Sequence, residues 1–129
     1  AKQIAEYEKA GVIKNYKTVI DWDRAGDSRV LAFIDVKVTP QRDVGFDDVA
    51  ERIYRYPEVH SVWLVSGDYD LRIVISGKNL NDVSTFVSQK LSTIDRIHGT
   101  STHFVLKRYK EDHVVFAEEA PDDRLAVTP

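Results

Sequence analysis

Cysteine and methionine are both missing from this chain of 129 residues, and glycine and proline are sparse at six and four. Without cysteine there is no disulfide, no thiolate nucleophile and no sulfur ligand for a metal. Only the carboxylates and four scattered histidines remain as ligands, and metal binding is disfavoured because His60, His98, His103 and His113 contain no pair at helical i, i+4 spacing. Without methionine the chain has no initiator residue, so something upstream of Ala1 is expected to be missing. An excess of positive charge is absent too. Lys and Arg number 18 against 21 Asp and Glu, a net charge of −3, which argues against this chain coating nucleic acid alone. Apolar runs reach only about five residues against the roughly 20 of a bilayer-spanning helix, and no signal-peptide pattern opens the sequence. A soluble, cytoplasmic protein with a single main core is expected.

What the chain does have is periodicity. Ile4 and Tyr7 stand three apart among polar residues with Gly11 beyond them, the pattern of the last turns of an amphipathic helix. Val12 to Trp22 is β-branched and dotted with lysine, an extended connector or strand, and residues 23–28 (DRAGDS) read as a loop. Val30, Ala32, Ile34, Val36 and Val38 alternate with Leu31, Phe33, Asp35 and Lys37, which predicts a first strand. Phe46, Val49, Ala50 and Ile53 then recur at i, i+3, i+4, i+7 and predict a helix ending at Tyr56-Pro57. Runs at 59–66 and 71–76, joined by Gly67-Asp68-Tyr69-Asp70, predict an antiparallel hairpin. Asn79 to Asp82 resembles a cap for a second helix, with Leu80, Val83, Val87, Leu91 and Ile94 on its core face and Phe86 beside them. A last strand is expected from about Thr100 to Tyr109. In the tail, Val114-Val115-Phe116 and Leu125-Ala126-Val127 flank Ala120 to Asp123, suggesting a further hairpin that covers a sheet edge.

The order strand, helix, strand, strand, helix, strand defines an α+β, ferredoxin-like βαββαβ fold, an antiparallel sheet with helices on one face. Its other face is left open. Leu31, Phe33, Val62, Leu64, Val74, Phe104 and Leu106 are assigned there, and together they are too apolar for water, so the sheet face is expected to pack in a dimer.

Three stretches, IAEYEKAGVIKNYKTVID (4–21), VLAFIDVKV (30–38) and VWLVSGDYDLRIVI (62–75), occur in an order and spacing that resembles the Lrp/AsnC transcriptional regulators. The likeness spans residues 4–110 and lies in their C-terminal effector-binding RAM domain, with most of the helix-turn-helix missing. It implies that residues 1–27 are the end of a DNA-binding helix and a linker strand, 28–110 the RAM effector-binding domain and 111–129 a C-terminal hairpin tail. By the same resemblance the protein is a transcription regulator and not an enzyme. It would form a homodimer and a higher, octamer-like ring, bind a small amino acid or related metabolite at a subunit interface, and reach DNA only through the missing N-terminal motif. No cofactor and no membrane partner is implied.

The candidate effector site is Ser66, Gly67, Asp68, Tyr69 and Asp70, with Thr100, Ser101 and Thr102 at the start of the last strand. Glycine takes positive φ and lets a ligand approach the backbone, free amides suit a carboxylate, and Asp68 or Asp70 suits an ammonium group. An ordinary Gly-Asp hairpin turn, with the hydroxyls serving cross-strand bonds, is the plain alternative. Trp22 and Trp63 suit ligand stacking or subunit packing. Asp95-Arg96 with His98 reads as a solvated ion pair in preference to acid–base machinery. Lys2, Lys9, Lys14 and Lys17 form a basic run suited to phosphate contacts in the intact protein. Two other functions stay open on the residues alone. One is a small ferredoxin-like dimeric enzyme of the aromatic-compound monooxygenase or isomerase type, which needs a pocket inside the monomer with a histidine such as His103 pointing in. The other is a ligand-free assembly module in which Asp68 and Asp70 pair with a neighbour's basic residues.

Overall fold

Strand β1 (Val30–Val38) runs along the middle of the sheet, and its even-numbered residues Ala32, Ile34, Val36 and Val38 are at most 2% exposed. In this computed structural model residues 2–21, 26, 29–40 and 45–116 are described. The chain divides into two units, Trp22–Arg108 and Ala1–Asp21 with Tyr109–Pro129. In the first, β1 is followed by helix α2 (Asp47–Tyr54), strands β2 (Val59–Leu64) and β3 (Leu71–Gly77), helix α3 (Leu80–Phe86) and strand β4 (Ile97–Phe104), with helix α1 (Lys2–Lys9) belonging to the second. The sheet is antiparallel in the order β2-β3-β1-β4, so each helical crossover joins an inner strand to an edge strand, β1 to β2 through α2 and β3 to β4 through α3, and the ferredoxin-like arrangement holds. Val49 and Ile53 of α2, and Val83 and Phe86 of α3, bury against one face of the sheet. Asn79 caps α3 by accepting the Asp82 amide at 2.9 Å, while the Asp82 carboxylate reaches back to the Lys78 amide at 2.9 Å. The second helix then widens into a π-helical turn over Val87–Leu91, which carries Leu91 and, beyond it, Ile94 into the core. Leu80, expected in that core stripe, is 56% exposed at the start of the first turn.

Cross-strand pairing assigns the faces, because residues directly opposite point the same way. Ala32 stands between Ile75 and Phe104, Ile34 between Ile73 and Thr102, and Val36 between Leu71 and Thr100, all on the helix side. Phe33 stands between Val74 and His103, and Asp35 between Arg72 and Ser101, on the open side. This corrects the expected open face. Val62, Leu64 and Phe104 pair with the buried Ile73, Leu71 and Ala32 and so belong to the helix side, and Leu106 lies beyond β4, 96% exposed. A register irregularity between Val59 and Ser61 shifts the parity of β2, and the polar Thr-Ser-Thr-His run of β4 carries no alternation from which its faces could be read. The open face therefore mixes Leu31, Phe33, Trp63 and Val74 with Asp35, Arg72, Ser101 and His103.

In the other unit, α1 ends where Gly11 takes φ +81 and the Val12 amide returns to the Tyr7 carbonyl at 2.8 Å. Residues 12–21 follow without becoming a strand. Strands β5 (Lys110–Glu111) and β6 (Val114–Val115) form a hairpin of their own outside the four-stranded sheet, turned by Asp112 and His113, both at positive φ; the expected tail hairpin sets Val114-Val115-Phe116 opposite Leu125-Ala126-Val127. Lys17 pairs with Asp112 at 2.6 Å and ties this hairpin to the segment after α1. Trp22, most of the 23–28 loop, and the Ala120 to Val127 part of the expected tail hairpin lie outside the described residues.

Candidate functional site

The turn between β2 and β3 is anchored to the central strand by three bonds. The Asp70 amide donates to the Val36 carbonyl at 2.9 Å, prolonging the β1–β3 ladder by one residue. One Asp70 carboxylate oxygen, Oδ2, accepts the Val38 amide at 2.8 Å. From β1, Lys37 Nζ reaches the Asp68 carbonyl at 2.7 Å, and the Val65 amide donates to the Asp70 carbonyl at 2.9 Å to close the turn. Gly67 sits at φ +120, where a side chain would strain the backbone, and the space a Cβ would enter there is open. Ser66, Gly67 and Asp68 are exposed, Tyr69 and Asp70 half-buried. The result is an acidic, solvent-facing corner whose foot is bonded to β1 and whose tip is exposed.

The three hydroxyl residues do not gather around it. Thr100 and Thr102 pair with Val36 and Ile34 and face the helices, whereas Ser101 pairs with Asp35 on the opposite side, its hydroxyl 3.2 Å from His103 Nε2. Thr100 lies across β1 from the foot of the turn, two strand spacings or about 10 Å away. Within one protomer the turn and these hydroxyls are therefore separate groups.

Pattern reading missed a polar cluster on the open face. Asp35, only 7% exposed, accepts Arg72 Nε at 2.8 Å and Nη2 at 3.2 Å, with His103 Nε2 at 3.5 Å from its other side. The Arg72 guanidinium holds the Asp35 carboxyl below its ordinary value of 3.8 although burial opposes this, and His103 adds to the lowering. Arg72 also lies over the Phe33 ring, 5.8 Å from its centre. A signal for this was present: Asp35 is the one acidic residue in a strand whose other residues, Lys37 apart, are apolar, and such a group needs a cation opposite it. Arg96 departs from the solvated pair expected with Asp95. Its side chain, 11% exposed, donates to the Thr39 carbonyl at 2.9 Å, to the Asp48 carboxylate and to the Gly45 carbonyl, clamping the β1–α2 connection. Among the described residues no three His, Asp or Glu side chains are placed to hold a metal ion.

Residues 31–115 match the sequence model of the Lrp/AsnC ligand binding domain. The chain belongs to the Lrp/AsnC family. The HTH-type transcriptional regulator YugG of Bacillus subtilis is 54% identical over 127 residues, covering 98% of this chain and 76% of that protein. An HTH-type transcriptional regulator of Pyrococcus horikoshii is 36% identical over 110 residues, 85% of this chain and 70% of its own. Among solved structures, a transcriptional regulator of Neisseria meningitidis in complex with L-methionine superposes with a TM-score of 0.70 at 23% identity, over 92% of this chain and 74% of that one, and the AsnC protein of E. coli with 0.66 at 20%, over 83% and 70%. These likenesses show the RAM fold. Lrp/AsnC proteins are transcription regulators, not enzymes, which removes the monooxygenase or isomerase alternative. No helix among the described residues is long and apolar enough to cross a membrane.

Proposed function

We propose that this RAM domain senses a small amino acid or related metabolite at a subunit interface and thereby modulates the DNA binding of an intact, cytoplasmic regulator. The observation that carries the reading is the Gly67–Asp70 corner: open at glycine, acidic at Asp68, and bonded through Asp70 to the central strand. Its exposed amides suit a carboxylate and its carboxylates an ammonium, the two charges of an amino acid. Support comes also from a structural neighbour crystallised with L-methionine. Because the corner is exposed and Thr100 to Thr102 lie away from it, residues of a neighbouring subunit complete the pocket. The homodimer forms through the open sheet face, where Leu31, Phe33, Trp63 and Val74 gain from burial and the Asp35–Arg72 pair fixes register. Dimers join into a larger ring, and DNA is reached through a helix-turn-helix preceding this region. A ligand-free assembly module has one observation in its favour, since an Asp70 oxygen is already committed to the Val38 amide.

Calorimetry against the twenty amino acids, run beside sedimentation velocity, tests the reading. Binding by at least one of them, accompanied by a change in assembly and weakened in Asp68→Asn, is the expected result. Heat from none of them and unchanged sedimentation would refute sensing.

A further inference from the structure

A cleft of about 320 Å³ opens between the end of β3 and the outer side of α3, lined by Glu58, Gly77, Asp82, Thr85, Phe86 and Lys90 among others. It lies at the opposite end of β3 from the Gly67–Asp70 corner, about 20 Å along the strand. Its charged lining is two carboxylates, Glu58 and Asp82, and one ammonium, Lys90, so the cleft is net acidic. Lys90 donates to Glu58 Oε2 with its ammonium over two ring faces, 5.2 Å from the centre of Tyr56 and 5.8 Å from that of Phe86. Those rings meet edge to face at 5.6 Å. The other Glu58 oxygen, Oε1, is shut from solvent and makes no hydrogen bond to another residue, while Lys90, helped by the residue's own amide, holds the carboxyl below its ordinary value against the effect of burial. An unsatisfied carboxylate oxygen is costly, and a charged donor is what relieves it best. Lys90, with its side chain 38% exposed, is the yielding wall of this arrangement.

We propose that the cleft is a second ligand site, taking a small primary amine. The ammonium of the ligand satisfies Glu58 Oε1 as the Lys90 side chain swings outward, the Thr85 hydroxyl borders the entrance, and the aliphatic part of the ligand lies on Phe86. The Lys90 ammonium already displays the recognition chemistry, a cation held by one carboxylate and two aromatic faces. Gly77 keeps the floor low, because a Cβ there would stand 2.8 Å from the Asp82 Cβ.

The test is an amide NMR titration of the full chain with n-butylammonium chloride, with sodium butyrate and sodium chloride at equal ionic strength as controls. Saturable shifts at Gly77 and Thr85, absent with either control, are expected. Glu58→Gln should weaken binding about tenfold or more, and Thr85→Leu should obstruct it while the protein stays folded. Lys90→Met, which retains the stem and removes the competing ammonium, should tighten it. Absence of shifts in the wild type, equal shifts with sodium chloride, or unchanged affinity in Glu58→Gln would overturn the proposal, leaving water as the partner of Oε1. Asp68→Asn leaves this titration unchanged, so the outcome is independent of the corner at Gly67–Asp70.

Discussion

Replacing Asp70 with alanine tests the anchoring of the turn most directly. The carboxylate accepts the Val38 amide at 2.8 Å, and Val38 is 2% exposed, so no water readily replaces the lost acceptor. A hydrogen bond to a charged group contributes about 1.5–3 kcal/mol, and a buried donor left unpaired costs about 1–3 kcal/mol. These overlap and do not add, giving an expected destabilisation of about 2 kcal/mol for Asp70→Ala. With a urea slope of roughly 1–3 kcal/mol per molar, the unfolding midpoint should fall by about 1 M. Asp70→Asn keeps an oxygen for the Val38 amide and should cost less than about 1 kcal/mol. Equilibrium urea unfolding followed by tryptophan fluorescence measures both. The reasoning fails if Asp70→Ala lies within about 0.5 kcal/mol of wild type, or if Asn proves as damaging as Ala. One consequence concerns experimental design: loss of effector binding in Asp70→Ala does not by itself identify a ligand contact, because the same change frees the end of β1. Asp68→Asn, at an exposed carboxylate, is the cleaner probe.

Ile34 is fully buried between Ile73 and Thr102, and Ile34→Ala should destabilise by about 2–5 kcal/mol in the same assay, a smaller loss meaning that the helix side collapses around the cavity. Gly77→Ala should cost about 1–3 kcal/mol, since its Cβ must displace Asp82 and the first turn of α3; an unchanged midpoint would show that turn to be pliable. The Asp35 carboxyl is held below its ordinary 3.8 by Arg72, so its stabilising contribution is complete above that value and is lost as pH falls through the lower folded value. Asp35→Asn should therefore flatten the stability curve below about pH 4 relative to wild type, and parallel curves would refute the pairing as a source of acid sensitivity.

The fold was legible because its period-two and period-3.6 stripes are clean. Val30 to Val38 and Val49 to Ile53 declare both the element and its buried face. The cap at Asn79 was legible for the same local reason. Where the reading failed, the deciding contact was distant in sequence. The faces of Val62 and Leu64 depend on an irregularity in pairing to β3, and Arg96 finds its partners at Thr39, Gly45 and Asp48, none of which a window around residue 96 contains. The eight residues of the candidate site divide in the same way. Gly67 and Asp70 could be singled out from turn chemistry, whereas the alternation that sends Ser101 to one face and its two threonine neighbours to the other needs the register of β4 on β1.

If the proposed effector binds at the corner, that register gives it a route to assembly. Asp70 and Asp68 are bonded to Val36, Lys37 and Val38, consecutive residues at the end of β1. The same strand, one residue earlier, places Asp35 at the centre of the open face against Arg72 and His103. A ligand acts on an equilibrium only through its differential affinity for the two states, and 1–3 kcal/mol of coupling, roughly 5–150-fold, is the usual scale. Moving the end of β1 against β3 by a fraction of an ångström would alter both the corner and the Asp35–Arg72 geometry, because an extended strand transmits displacement along its length with little slack. Asp35→Asn therefore serves as a test of coupling as well as of acid stability. If the corner and the open face are linked through β1, this variant should change the ligand concentration at which assembly shifts while leaving every residue of the Gly67–Asp70 turn intact. An identical concentration dependence in variant and wild type would mean that the ligand acts on assembly across the subunit junction alone.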